Sequence, residues 1–142
     1  MKWINKLLAF WPFSKRSSGN QAENIACRYL KSKGLKLKNK NFSCKMGEID
    51  LIMFHKEVLI FVEVRMRSRK DYGGALLSVN RAKQLRIIKT AQMYLKKYGA
   101  HPPKCRFDVI AIDGNQMHTA KHFQYNDKTY ELTWVKNAFN LG

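Results

Sequence analysis

Two carboxylates stand inside apolar runs: Asp50 within Gly47-Glu48-Ile49-Asp50-Leu51-Ile52-Met53-Phe54, and Glu63 within Val58-Leu59-Ile60-Phe61-Val62-Glu63-Val64-Arg65-Met66-Arg67. The short polar segment His55-Lys56-Glu57 between the runs predicts a β-hairpin with a tight connection. A turn centred between Lys56 and Glu57 sets Asp50 directly opposite Glu63. Uniform alternation then places Glu63, Arg65 and Arg67 on one face of the second strand. Like charges facing each other destabilise a sheet, and buried carboxylates are costly unless something positive lies between them. A divalent cation would supply that charge. The plainer alternative pairs each acid with a lysine or arginine of the chain. Glu48 shares Asp50's face but lies a rung further away, and a salt bridge to Arg65 or Arg67 is its expected use.

The elements that must position these acids fit one domain. The chain has 142 residues, enough to bury a core between a sheet and a few helices but not to build a second full domain. Hydrophobic residues are 45% and charged residues 26%, ordinary for a globular fold, but 27 Lys and Arg against 10 Asp and Glu leave a net charge of +17. Such an excess concerns partners rather than fold, and the usual ones are nucleic acid and anionic membrane surfaces. Cys27, Cys44 and Cys105 are odd in number and widely spaced, which suggests neither a disulfide framework nor a zinc site and fits a reducing, cytoplasmic setting. His55, His101, His118 and His122 lack the spacing of a metal site or a triad and read as structural or exposed.

Residues 1–19 read as a tail and 20–142 as the domain. In the tail, Trp3, Ile4, Leu7, Leu8 and Trp11 share one helical face, so residues 1–13 suit contact with a membrane surface, while the apolar stretch is too short to span one. From about Gln21 to Lys33, Ile25, Ala26, Tyr29 and Leu30 form an apolar helical stripe that Gly34 stops. Leu35 to Phe42 alternates with lysines as a protected edge strand. The polar segment from Ser68 to Gly74 reads as a mobile loop. A second helix from about Asn80 to Tyr98 offers Ala82, Leu85, Ile88, Ala91 and Leu95 to the core, with Lys83, Arg86 and Lys89 elsewhere. Cys105 to Asp113 is a buried strand, and Tyr130 to Phe139 has the bulk for a closing strand or short helix. Two strands, a long helix and a further strand imply an α/β sandwich with a mixed central sheet flanked by helices.

Asp50 followed by Glu63-Val64-Arg65 resembles the metal-dependent nuclease core called PD-(D/E)XK, with Ile49 in place of the proline. With Gly47-Glu48-Ile49-Asp50-Leu51-Ile52, Phe61 to Arg67, the Gly74 loop, Lys83 and Arg106-Phe107-Asp108-Val109, nearly all of the chain after Gly19 resembles the YraN family of bacterial proteins. The resemblance implies a restriction-endonuclease-like sandwich related to Holliday-junction resolvases and a role on branched or damaged DNA. It implies that Asp50 and Glu63, with the Val64 carbonyl, hold Mg2+ or Mn2+, and that Glu23 completes the site or orients water. It also implies a homodimer, since resolvase relatives cut as symmetric pairs, although no seam in the sequence marks one. The departure is Arg65, where the pattern carries lysine: arginine stays protonated and cannot act as a base, but its fork suits phosphate oxygens.

The leading expectation is therefore an endonuclease-like domain with Glu23, Asp50, Glu63 and Arg65 in the site. Arg67, Arg69, Lys83, Arg86 and Lys89 are expected to form the phosphate-tracking surface. The alternative is a catalytically silent nucleic-acid-binding module. Arg65→Lys is expected to raise or create cleavage of a labelled DNA, because the smaller ammonium can approach both water and the scissile phosphate. No change in an already active wild type would show that arginine suffices.

Overall fold

A computed structural model of the chain describes residues 18–67, 79–113 and 121–140. The expected tail contacts of residues 1–13 and the 68–74 loop, with Arg69, lie outside these residues. Helix α1 (Ser18–Ser32) leads into strands β1 (Lys36–Cys44), β2 (Gly47–His55) and β3 (Val58–Arg67). Helix α2 (Arg81–Leu95), a 3-10 turn (Lys96–Tyr98) and strands β4 (Lys104–Asp113), β5 (Lys121–Tyr125) and β6 (Lys128–Phe139) follow. The six strands form one sheet in the order β1-β2-β3-β4-β6-β5. Among the described residues only the β3–β4 pair is parallel, and α2 lies in the crossover that a parallel pair needs. This is the mixed α/β sandwich expected from the sequence, arranged as in restriction-endonuclease-like folds.

The helices cover opposite faces of the sheet. Ala22, Ile25, Ala26, Tyr29 and Leu30 of α1 pack on Leu51, Met53, Ile60, Val62, Val64, Ile110 and Ile112. Ile87, Ile88, Ala91 and Tyr94 of α2 pack on Ile49, Ile52, Leu59, Phe61, Phe107 and Val109. Because β3 and β4 are buried on both faces, their sequences run almost continuously apolar. The end of α1 follows from Gly34, whose φ of +94° suits a residue without Cβ. Gly34 N–H donates to the Lys31 carbonyl and Leu35 N–H to the Leu30 carbonyl, which closes the helix and delivers Leu35 into the core. The β2–β3 turn is the expected one, with Lys56 at φ +47° and Glu57 at φ +68°, the conformation of a two-residue type I′ hairpin.

One expectation about the elements changes in part. Ile88 and Ala91 are buried and Leu95 packs against the same core, as expected, but Ala82 and Leu85 are exposed, and Ile87 and Tyr94 complete the buried stripe. The phase differs because half-buried Lys83 lies on the inner side, in line with Ile87 and Tyr94 at helical spacing. The closing strand expected from Tyr130 to Phe139 is β6, which pairs with β5 as a hairpin and lies between β4 and β5 in the sheet.

Asp108 fastens that hairpin. Fully buried, it accepts hydrogen bonds from Arg106 Nε at 3.0 Å, Trp134 Nε1 at 2.9 Å and the Asn137 backbone N–H at 2.9 Å. The β4–β6 register shifts between Phe107 and Val109, and Asn137 there takes a φ of +54°. The carboxylate thus supplies the acceptor that the bulge takes away from the ladder. Asp108→Ala takes the acceptor from the Trp134 indole N–H and the Asn137 N–H and is expected to cost about 1–3 kcal/mol for each buried donor left unsatisfied. Urea unfolding measures it, and a loss near zero would deny Asp108 this role.

Candidate metal centre

The β2–β3 ladder stops one pair short of positions 50 and 63, and their side chains do not share a face. The β2–β3 pairs run from Leu51↔Val62 to His55↔Val58, in line with a turn centred between Lys56 and Glu57. Beyond Leu51 the backbone ladder gives way to a side chain: the Val64 N–H donates to Asp50 Oδ2 at 2.9 Å. Val62 and Val64 belong to the α1-side core, so Glu63 between them faces α2. There its Oε1 lies 2.6 Å from Lys83 Nζ.

Asp50 turns the other way. One carboxylate oxygen each of Glu23, Glu48 and Asp50 lie within 4.8 Å of one another, and Glu23 belongs to α1. The cause is a break of alternation in β2. Ile49 and Ile52 both pack on the α2 side, whereas Leu51 packs on the α1 side together with its neighbour Asp50. The adjacent strand breaks at the same place. Lys40 Nζ donates to Asn24 Oδ1 on α1, while Phe42 packs on Tyr94 of α2. Between them Asn41 has a φ of +55°, a left-handed conformation that asparagine tolerates better than most residues. Asn41 lies between the rungs Lys40↔Leu51 and Phe42↔Ile49, the rungs that also bracket Asp50. One irregular rung shared by two strands therefore carries Glu48 and Asp50 to the α1 face.

Close packing fixes the start of β2. A Cβ on Gly47 would approach Thr90 Oγ1 to 3.1 Å and Arg86 Cβ to 3.7 Å, and the φ of +150° there also favours glycine. Gly47 lets β2 begin against α2, one residue before the first carboxylate.

Glu23 and Asp50 are nearly fully buried, at 4% and 1% exposure, and Glu48 is half-buried at the rim. Three carboxylates form a hard, oxygen-only donor set of the kind that suits Mg2+ or Mn2+ rather than zinc or copper. Octahedral Mg2+ sets opposite ligands about 4.2 Å apart, given bonds of about 2.1 Å, so the observed spread is close to what one ion requires. Glu63, expected as a ligand, is not in this group, and Glu48, expected in a salt bridge, is. The signal for Glu48 was its spacing of two from Asp50, which already gave both acids one face.

Among the other expected residues, Arg65 is half-buried and adjoins Val64, and Arg86 and Lys89 are exposed on α2. Lys83, expected on the phosphate surface, is only 16% exposed and is held by Glu63. Arg67 ends β3 opposite Asp113. Cys27, Cys44 and Cys105 are free thiols, and burial pushes the Cys105 thiol up, away from nucleophilic use. Among the described residues no helix is long and apolar enough to cross a membrane.

Fold and cluster together define a class: an α/β protein with helices on both faces of a mixed sheet and three acids gathered beside its central hairpin. Within that class the chain belongs to the family described as Uncharacterised protein family UPF0102, whose match covers residues 22–112 and thus all three acids. It is similar to a UPF0102 protein of Janthinobacterium sp. (strain Marseille), 49% identical over 125 residues that cover 88% of this chain and 89% of the relative. A UPF0102 protein of Nitrosococcus oceani is 48% identical over 131 residues, covering 92% and 97%. One from Legionella pneumophila subsp. pneumophila is 42% identical over 128 residues, covering 89% and 98%. This is the YraN family that the motifs resemble.

The Glu63–Lys83 contact is expected to be structural. In a double-mutant cycle of Glu63→Gln and Lys83→Met, urea unfolding should give a coupling of about 0.5–3 kcal/mol, the range for residues in direct contact. Strict additivity would return Lys83 to the role of a surface cation.

Proposed function

We propose that this chain is a metal-dependent nuclease-like protein of the cytoplasm that binds DNA electrostatically and hydrolyses a phosphodiester. The observation that carries this reading is the grouping of Glu23, Glu48 and Asp50 within one ion's reach. These three residues would hold Mg2+ or Mn2+. When bound, the ion supplies charge to polarise phosphoryl oxygens and activates water at neutral pH. The protein's own part is to keep Asp50 aimed, through the Val64 N–H, and to keep Glu23 on a helix packed against the sheet. Arg65, permanently cationic and next to Val64, is suited to neutralising charge on a phosphate that reaches the strand end.

A second reading, a nucleic-acid-binding module without catalysis, is favoured by one contact. Glu63, the second acid of the nuclease pattern, faces α2 and is engaged by Lys83, away from the three-acid group. Arginine at position 65 adds to that reading.

The thermal midpoint with and without Mg2+ or Mn2+ tests the metal. Ion at about a hundredfold excess over its dissociation constant stabilises a fold by about 2.7 kcal/mol, a shift of several degrees. Asp50→Asn keeps an oxygen for the Val64 N–H, so the metal-free protein should stay as stable as wild type while the metal-dependent shift disappears. Glu48→Gln should also abolish the shift and Glu63→Gln should not. The reverse pattern would return the ligand set to Asp50 and Glu63. A metal shift without cleavage of duplex, branched or nicked DNA would select the binding module.

A further inference from the structure

The lysines on the β1 edge of the sheet bear on how a polyanion would reach the three acids. Lys36, Lys38, Lys40 and Lys45 are all exposed on or just beyond β1, the edge strand neighbouring β2. The acids sit between them in register: Glu48 pairs with Ser43, and Asp50 lies between the rungs of Lys40 and Phe42. Lys40 and Lys45 therefore flank the cluster on the adjoining strand. Lys40 also reaches the α1 side, where it donates to Asn24, the residue after Glu23. The surface expected on α2 is less well placed: Lys83 is engaged by Glu63, and α2 covers the opposite face from the acids.

From this arrangement we propose that the β1 edge, through Lys36, Lys38, Lys40 and Lys45, takes the phosphate backbone of nucleic acid and leads it to Glu23, Glu48 and Asp50. The inference rests on the nuclease-like reading for its destination but has its own observable. Nine residue steps at about 3.3 Å span at most about 30 Å, the length of about nine base pairs at 3.4 Å each. Cations spread so far suit a polymer rather than a mononucleotide. A lipid surface is a poorer fit, because Lys36, Lys38, Lys40, Asn41 and Ser43 face solvent while Leu37 and Phe42 are packed into the two cores. Edge lysines also discourage strand addition, and that duty alone would make them indifferent to DNA.

Fluorescence anisotropy of a labelled duplex, with the full chain over a salt series, separates these outcomes. The variant Lys36→Gln/Lys38→Gln/Lys40→Gln/Lys45→Gln should lower the slope of log affinity against log salt by about 3–4, at about 0.9 per lost phosphate contact. The four-arginine variant should keep the wild-type slope, as should Arg86→Gln/Lys89→Gln. Both glutamine variants should retain the wild-type metal-dependent thermal shift, which also verifies their fold. An unchanged slope in the edge variant, a loss confined to the α2 variant, absence of DNA binding by wild type, or preference for phosphatidylserine vesicles over DNA would each overturn the proposal. A missing metal shift with the lysine-dependent slope intact would sink the hydrolytic reading and leave the binding surface standing.

Discussion

The hydrogen bond from the Val64 N–H to Asp50 Oδ2 lies at the point where the β2–β3 ladder stops, and the geometry of the acid cluster depends on it. A backbone amide buried at a strand end must find an acceptor, because leaving it without one costs on the order of a lost hydrogen bond. Here a carboxylate meets that need. The same carboxylate therefore has its place fixed by the backbone of the neighbouring strand, and the glutamates approach a group that is already held.

Asp108 solves a similar problem one strand further along. Where β6 bulges away from β4, its carboxylate accepts the Asn137 N–H as well as the Trp134 indole, with Arg106 balancing the charge. Two buried aspartates thus stand in for missing backbone acceptors, and both sites coincide with an asparagine at positive φ, Asn41 and Asn137. The difference lies in their company. Asp108 is held with an arginine of its own strand, whereas Asp50 is gathered with two further carboxylates, an oxygen-only grouping of the kind that suits a hard cation.

Much of this fold was legible because burial dictates composition. Apolar runs of β2 and β3, the Lys56–Glu57 turn, the Gly34 stop and the lysine-lined edge each follow from a local rule that the tertiary structure obeys. The faces of Asp50 and Glu63 were not legible, because alternation holds only while both strands stay regular, and Asn41 breaks it. Lys83 misled for a related reason: assigning a lysine to solvent shifted the phase of α2, although a buried acid on β3 was available to receive it. The insertion of β6 depends on long-range pairing, which no spacing within Tyr130 to Phe139 encodes.

The two faces constrain any chemistry that would use both acids of the nuclease pattern. Asp50 points toward α1 and Glu63 toward α2, so a phosphate touching both must sit over the end of the β2–β3 hairpin rather than on either face. That end is where the ladder is already interrupted, where Val64 links the strands through Asp50, and where Arg65 follows in sequence. Lys83 holds Glu63 on the α2 side, and the three acids that lie within one ion's reach are gathered on the α1 side.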